Sequence, residues 1–178
     1  MATTHWTLDP QHSELEFKVK HLMISTVTGR FNNFSATLES ESDDNFENAK
    51  ATFSADISSV DTGNADRDKH LVTADFFDAD THPTLTFEST SITRDGDDYK
   101  LAGNITLKGV TKPIVLDVEF GGTAVDPWGN TKAGFTLSGK IKRGDFGLTY
   151  NATLETGGVM LGDEVKILGE IQFVKQAS

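Results

Sequence analysis

The chain has no cysteine among its 178 residues. That excludes disulfide staples, thiolate catalysis and cysteine-ligated zinc. A single domain of this length needs none of them, because it buries roughly 70% of the surface its unfolded chain exposes. Apolar runs approaching the roughly 18 residues of a membrane helix are also missing. Basic residues are scarce: 16 Lys and Arg stand against 27 Asp and Glu, a formal net charge of -11. Such a field repels phosphate backbones and anionic lipid surfaces, which argues against nucleic acid and electrostatic membrane binding. Residues Met1 to Trp6 show neither a basic n-region nor an apolar h-region. Read from Met1, this predicts a cytoplasmic protein, or a periplasmic one where Met1 stands at the mature end of an exported chain.

The familiar catalytic patterns are absent as well. No Gly-x-Ser-x-Gly elbow and no phosphate-cradling Gly-rich loop occurs. The five histidines, His5, His12, His21, His70 and His82, form neither His-x-x-x-His nor His-Glu-x-x-His. Asp145-Phe-Gly147 matches three residues of a kinase motif, but no kinase Gly-rich or catalytic loop accompanies it. Asp78-Ala-Asp-Thr-His-Pro83 starts like a calcium loop and then lacks its central Gly and terminal Glu. Asp66 and His70 would share one helical face, half of a metal site that must borrow its other ligands. The plainer reading is a solvated helix with its acids toward the positive N-terminal end. The residues themselves nominate no enzyme, no metal and no cofactor.

What the chain does have is alternation. Leu15, Phe17 and Val19 fall on one face of Ser13–Lys20, with Glu14, Glu16, Lys18 and Lys20 on the other, the mark of a strand with one dry side. The same period recurs from Phe31 to Ser40, Ala49 to Ile57, Thr84 to Arg94 and Tyr99 to Leu107. Ile114 to Phe120, Ala133 to Ile141 and Val165 to Phe173 complete the set. Asp95-Gly-Asp-Asp98 is a hairpin signal, Gly121-Gly122 a strand end, and His21–Thr28 suits a short helical turn stopped by Gly29. About eight strands with short connections predict one all-β domain over residues 1–178, an antiparallel barrel or sandwich. The dry face repeatedly uses small residues (Ala36, Ala49, Ala51, Ala55, Gly103, Ala133, Gly139, Gly169). These either leave room for a ligand or mark the bends that close a barrel.

One stretch breaks the pattern. Ser58–Asp78 packs Asp61, Asp66, Arg67, Asp68, Lys69, His70, Phe76 and Phe77 into a single long connection. Long connections in small domains carry function or cover something.

Several short motifs, in order and at fixed spacing, resemble the YceI-like family of polyisoprenoid-binding, lipocalin-like proteins. They include Trp6-Thr-Leu-Asp-Pro with His12-Ser13, Val19-Lys-His-Leu22 and Gly29-Arg-Phe31. Asp61-Thr-Gly-Asn64, Arg67-Asp68, His70-Leu71 and Asp75-Phe-Phe-Asp78 follow. The run from Gly103 to Pro113, Asp126-Pro-Trp-Gly129, Arg143-x-Asp-Phe-Gly147 and Gly162-Asp-Glu-Val165 complete it. The resemblance implies an eight-stranded antiparallel barrel with short helical connections. It also implies an interior that holds a polyprenyl, quinone-like or fatty-acid-derived chain, with no enzymatic activity.

On that basis the small dry-face residues favour a cavity. The expected tunnel residues are Phe17, Val19, Phe53, Phe87, Ile105, Phe135, Ile141 and Ile171, with Phe76 and Phe77 capping one end. His21, Arg67, Asp68, His70 and Arg143 are candidates for contacting a head group or for anchoring the connection by charge-assisted hydrogen bonds. The acidic net charge favours a neutral head, a quinone or alcohol, over a diphosphate. The expected partner is the isoprenoid-type lipid, bound for storage or transport; a homodimer is compatible with the class, and no nucleic acid or transmembrane segment is expected. Two alternatives stand: an acid–base or metal-dependent enzyme acting on a lipid-like substrate at His21 and His70, and a solid-cored structural stress protein.

Overall fold

A computed structural model of the chain describes residues 3–21, 24–43, 45–74, 76–148 and 161–176, with backbone alone at 21 and 161. The strands are β1 (Thr4–Leu8), β2 (Glu14–His21), β3 (Ser25–Phe31), β4 (Phe34–Ser40), β5 (Lys50–Asp56) and β6 (Val60–Asp61). They continue as β7 (Thr84–Asp95), β8 (Asp98–Leu107), β9 (Val110–Val125), β10 (Thr131–Lys142) and β11 (Leu161–Lys175). One α-helix, α1 (Ala65–Leu71), lies between β6 and β7.

Every strand pairs antiparallel with its neighbours, and β1 pairs with β11, so the sheet closes on itself. Eleven segments make eight long strands, because β1 runs on into β2, β3 into β4, and β5 into β6. The result is a closed antiparallel barrel in which strands adjacent in sequence are adjacent in space. Closure removes the free sheet edges that would otherwise invite aggregation.

The three divided strands are broken side by side. Pro10 cannot donate to a ladder, and a 3-10 turn at Pro10–His12 follows, its first turn capped by the Asp9 carboxylate accepting from Gln11 N at 3.2 Å. Next to it, Asn32 N donates to Ser59 O at 3.1 Å and Asp56 N to Asn33 O at 2.9 Å, which stitches the second break to the third.

Two local expectations are corrected. Residues 25–31 form strand β3 rather than a helical turn. Their apolar residues do repeat at near-helical spacing, but Gly29 lies under the Phe17 ring, where an added Cβ would stand 2.3 Å from Cζ. Pairing with β2 decides the backbone there. Likewise Gly121 and Gly122 do not end β9: Gly122 takes a φ of 106° beside a bulge against Gly134–Phe135, and the strand runs on to Val125.

Inside the barrel, period-two burial holds along β8 and β9, with Tyr99, Leu101, Ile105, Leu107, Ile114, Leu116 and Val118 all buried. The two ends are built differently. At one, the 41–49 connection inserts Phe46. At the other lie α1, the turn between β8 and β9, and the 3-10 turn Arg143–Phe146 after β10. Lys108 ties this second end together, its Nζ donating to Ala74 O at 3.2 Å and to Gly147 O at 3.4 Å.

Candidate functional site

The barrel encloses a cavity of about 490 Å³. That is within the roughly 300–1,000 Å³ of small-molecule sites. Its wall is almost wholly aliphatic and aromatic, contributed by every long strand.

All ten expected tunnel residues (Phe17, Val19, Phe53, Phe76, Phe77, Phe87, Ile105, Phe135, Ile141 and Ile171) reach this wall. Phe17, Phe31 and Phe77 form one aromatic group, with centroids 5.4 to 6.5 Å apart. Phe34 and Phe53 form another pair at 5.7 Å. Sequence reasoning missed Phe46, Val27 and Phe31 as wall residues. Phe46 sits in a polar turn, where no periodicity points inward. Val27 was hidden by the helical reading of 21–28, and Phe31 by reading 31–40 as one strand, since the break between β3 and β4 puts Phe31 out of phase with Phe34, Ala36 and Leu38.

Of the small dry-face residues, Ala36 and Ala51 line the cavity, whereas Gly103 and Gly139 do not themselves leave space. A Cβ at Gly103 would stand 2.4 Å from Phe87 Cζ and 2.5 Å from the Glu88 carbonyl oxygen, and one at Gly139 would stand 2.3 Å from Leu116 Cδ2. Large side chains from neighbouring strands lie over the glycines. The glycines let rings and branched side chains lie flat against the wall, and the lumen between opposite walls remains.

One end is sealed by rings. Phe46 packs against Trp6 (5.7 Å), Tyr99 (6.2 Å), Phe120 (5.2 Å) and Phe135 (5.0 Å). The polar tips of this plug are satisfied: Trp6 Nε1 donates to Ser40 Oγ at 2.9 Å, and Tyr99 Oη accepts from Phe46 N at 3.2 Å.

The other end gathers Thr62, Arg67, His70 and Arg143; Glu16 of β2 and Thr52 of β5 are the other charged or hydroxyl-bearing residues along the wall, apart from the Tyr99 of the plug. Asn64 caps α1 by accepting from Arg67 N at 3.1 Å, with Asp66 and Asp68 in the first turn and Lys69 and His70 in the last. Arg67 donates from Nε to Thr62 Oγ1 (2.7 Å) and from Nη2 to Thr62 O (2.8 Å). Asp68 Oδ1 accepts from Thr62 N (2.9 Å) and Thr62 Oγ1 (2.6 Å), and Asp68 is not part of the cavity wall. His70 stands edge-on to Phe76 with centroids 5.0 Å apart.

Arg143 is buried and donates to Gly162 O at 2.8 Å and Leu148 O at 2.6 Å. Burial lowers its guanidinium below the usual range, and Asp163 nearby pulls the other way. The local sequence explains its placement: Gly147 takes a φ of 75°, which ends the 3-10 turn and lets Phe146 bury. That is the role of Asp145-Phe-Gly147 here. The side chain of His21 lies outside the described residues, and so does its relation to His70. Among the described residues no three His, Asp or Glu side chains gather as metal ligands.

A pattern of residues described as the YceI-like domain matches positions 6–173. The chain belongs to the YceI-like domain family. A UPF0312 protein of Staphylococcus aureus is 42% identical over 171 residues, covering 96% of this chain and 97% of its own. A UPF0312 protein of Pectobacterium atrosepticum is 46% identical over 139 residues, 78% of this chain and 72% of its own. Among solved structures, the Campylobacter jejuni YCEI protein superposes with a TM-score of 0.74 at 36% identity, over 90% of this chain and 91% of its own. BcnA of Burkholderia cenocepacia gives 0.80 at 25% identity, over 93% and 98%. A polyisoprenoid binding domain from Saccharophagus degradans shares the fold, with a TM-score of 0.65 at 18% identity over 96% and 98%.

Proposed function

We propose that this YceI-like chain binds, stores or carries a long hydrophobic isoprenoid-type lipid inside its barrel, and that it is a binding protein rather than an enzyme. The observation that carries this reading is the cavity inside the barrel, walled mostly by aliphatic and aromatic residues, with Arg67, His70 and Arg143 gathered at the end where α1 lies. A chain-like ligand with one polar end matches that division. The shared fold of a polyisoprenoid binding domain supports the same ligand class.

Affinity then comes mainly from the tail. Each buried methylene contributes roughly 0.8 kcal/mol, offset in part by the entropy lost in ordering a flexible chain. Arg67 and Asp68 are committed to Thr62, and Arg143 to two backbone carbonyls. That arrangement supports a neutral head, a quinone or an alcohol, over a diphosphate.

The test is extraction of the purified protein with organic solvent followed by mass spectrometry, together with titration of a fluorescent prenyl probe. Co-extracted lipid and saturable probe binding are the expected results; neither appearing would sink the proposal. Phe53→Glu places a carboxylate in the apolar wall and is expected to weaken probe binding by at least about tenfold. Unchanged binding would mean that the tail lies elsewhere.

A further inference from the structure

Pairing brings together cations that the sequence keeps far apart. Lys140 stands opposite Lys166, and Lys166 opposite Lys18, in one row across β10, β11 and β2. Lys142 and Lys20 end the flanking strands one step nearer the polar mouth. All five alternate with inward residues, so they share the outer face. Among the described residues only Lys140 of the five meets a carboxylate within 4.0 Å, Glu164 at 3.5 Å. Two acids border the row: Glu164, directly opposite Lys142, and Glu16, opposite Leu168 and already paired with Arg30 at 3.6 Å.

Like charges directly opposite on neighbouring strands are destabilising. This chain, with 27 acids to place, nevertheless puts three lysines in register. Guarding a free strand edge does not account for Lys166 or Lys18, since β11 and β2 are paired on both sides. Beside this face, at the same end of the barrel, Ile24 is 83% exposed.

We infer that this lysine face docks the mouth of the barrel onto an anionic lipid bilayer. The inference rests on the lipid-carrier reading. A cargo tail crossing open water would lose the favourable burial that holds it, so a mouth seated against the bilayer is the economical route for loading and release. With acids in excess over the rest of the surface, the lysine face also gives the molecule a charge asymmetry that turns this end toward a negative surface. Ile24 reaches the acyl boundary once the lysines have engaged. The net charge of -11 argues against anionic membranes only while charge is counted without regard to place.

The experiment is co-sedimentation of the purified protein at low ionic strength with vesicles of phosphatidylcholine alone, and with vesicles of equal parts phosphatidylcholine and phosphatidylglycerol. Pelleting with the anionic vesicles only, reversed by salt, is the expected result. Each lysine near such a surface is worth about fivefold in partitioning, so Lys18→Gln/Lys166→Gln is expected to weaken it roughly twentyfold. Lys100→Gln/Lys175→Gln, at the plugged end, is expected to leave it unchanged. Failure of the parent protein to pellet with anionic vesicles overturns the inference and leaves an acidic protein as the partner for this face. Equal pelleting by the Lys18/Lys166 variant also overturns it. Prenyl-probe binding, measured without vesicles, is expected to be the same in parent and variant. Vesicle binding without probe binding would overturn the carrier reading, and with it the cargo-loading role of the docking, while the docking face itself would stand.

Discussion

The two ends of the barrel solve the same problem with opposite chemistry. At the plugged end, Phe46 is 2% exposed and Trp6 1% exposed, within a group of rings whose polar tips are satisfied internally. At the mouth, a seven-residue helix with no buried residue is held to the barrel through Thr62, by Arg67 and Asp68. Ring burial is non-directional and cooperative with the core. A few hydrogen bonds at the surface can open without the rest of the fold following. The difference marks the α1 end as the one that opens at lower cost; on the proposed carrier reading, a tail enters past α1 and the rings set how deep it goes.

That contrast can be broken most directly at Phe46. Phe46→Ala is expected to cost about 3–5 kcal/mol of unfolding free energy, read as a shift in denaturant midpoint. Phe76→Ala, its counterpart at the mouth, is expected to cost clearly less. Equal losses would mean that the ends are not energetically distinct. Next in size, Ser40→Ala leaves the buried Trp6 N–H without its acceptor, at an expected cost of about 1–3 kcal/mol in the same measurement.

At the mouth the expected effect is kinetic. Asp68→Ala removes both hydrogen bonds to Thr62, locally worth about 1–2 kcal/mol. Faster amide exchange across 62–71 and faster probe release are expected, with the global midpoint nearly unchanged. A midpoint shift as large as that of Ser40→Ala would show that α1 belongs to the core.

The smallest expected effect is in acid. Burial pushes the Asp9 carboxyl upward, but Lys132 (2.5 Å) and His12 (2.8 Å) outweigh it, and the group sits below the usual carboxylate range. A carboxyl depressed on folding stabilises above its unfolded pKa of about 4, and that contribution is lost as pH falls through the lower folded value. Asp9→Asn is therefore expected to be less stable than the parent at neutral pH by about 1 kcal/mol or less. The gap should close below about pH 4. A gap that stays constant through acid unfolding would remove Asp9 from the pH dependence.

The strands and their inward faces were legible in the sequence because side-chain alternation is a local property. Leu15, Phe17 and Val19 announce an inner face within eight residues, and the same holds for β8 and β10. The family motifs added the closed barrel and its cavity. Less legible was anything decided by a partner strand. Thr4–Leu8 is short and mostly polar, and it is a strand because it bridges β4 and β11 to close the ring. Residues 25–31 carry an ambiguous period that pairing with β2 resolves. The stretch 58–78 was recognisable as a cover, yet whether Arg67 and Asp68 reach inward or tie down α1 depended on where Thr62 falls after β6.

By itself, then, the sequence determined the element type, the dry face and the family, all of which follow from short-range period and motif spacing. Only the tertiary structure decided which end is plugged, because Phe46 meets Trp6, Tyr99, Phe120 and Phe135 from four distant parts of the chain. It alone decided that lysines 18, 140 and 166 form one row. Charge composition is a sum over the chain, whereas an electrostatic surface depends on strand register, and register exists only after the barrel has closed.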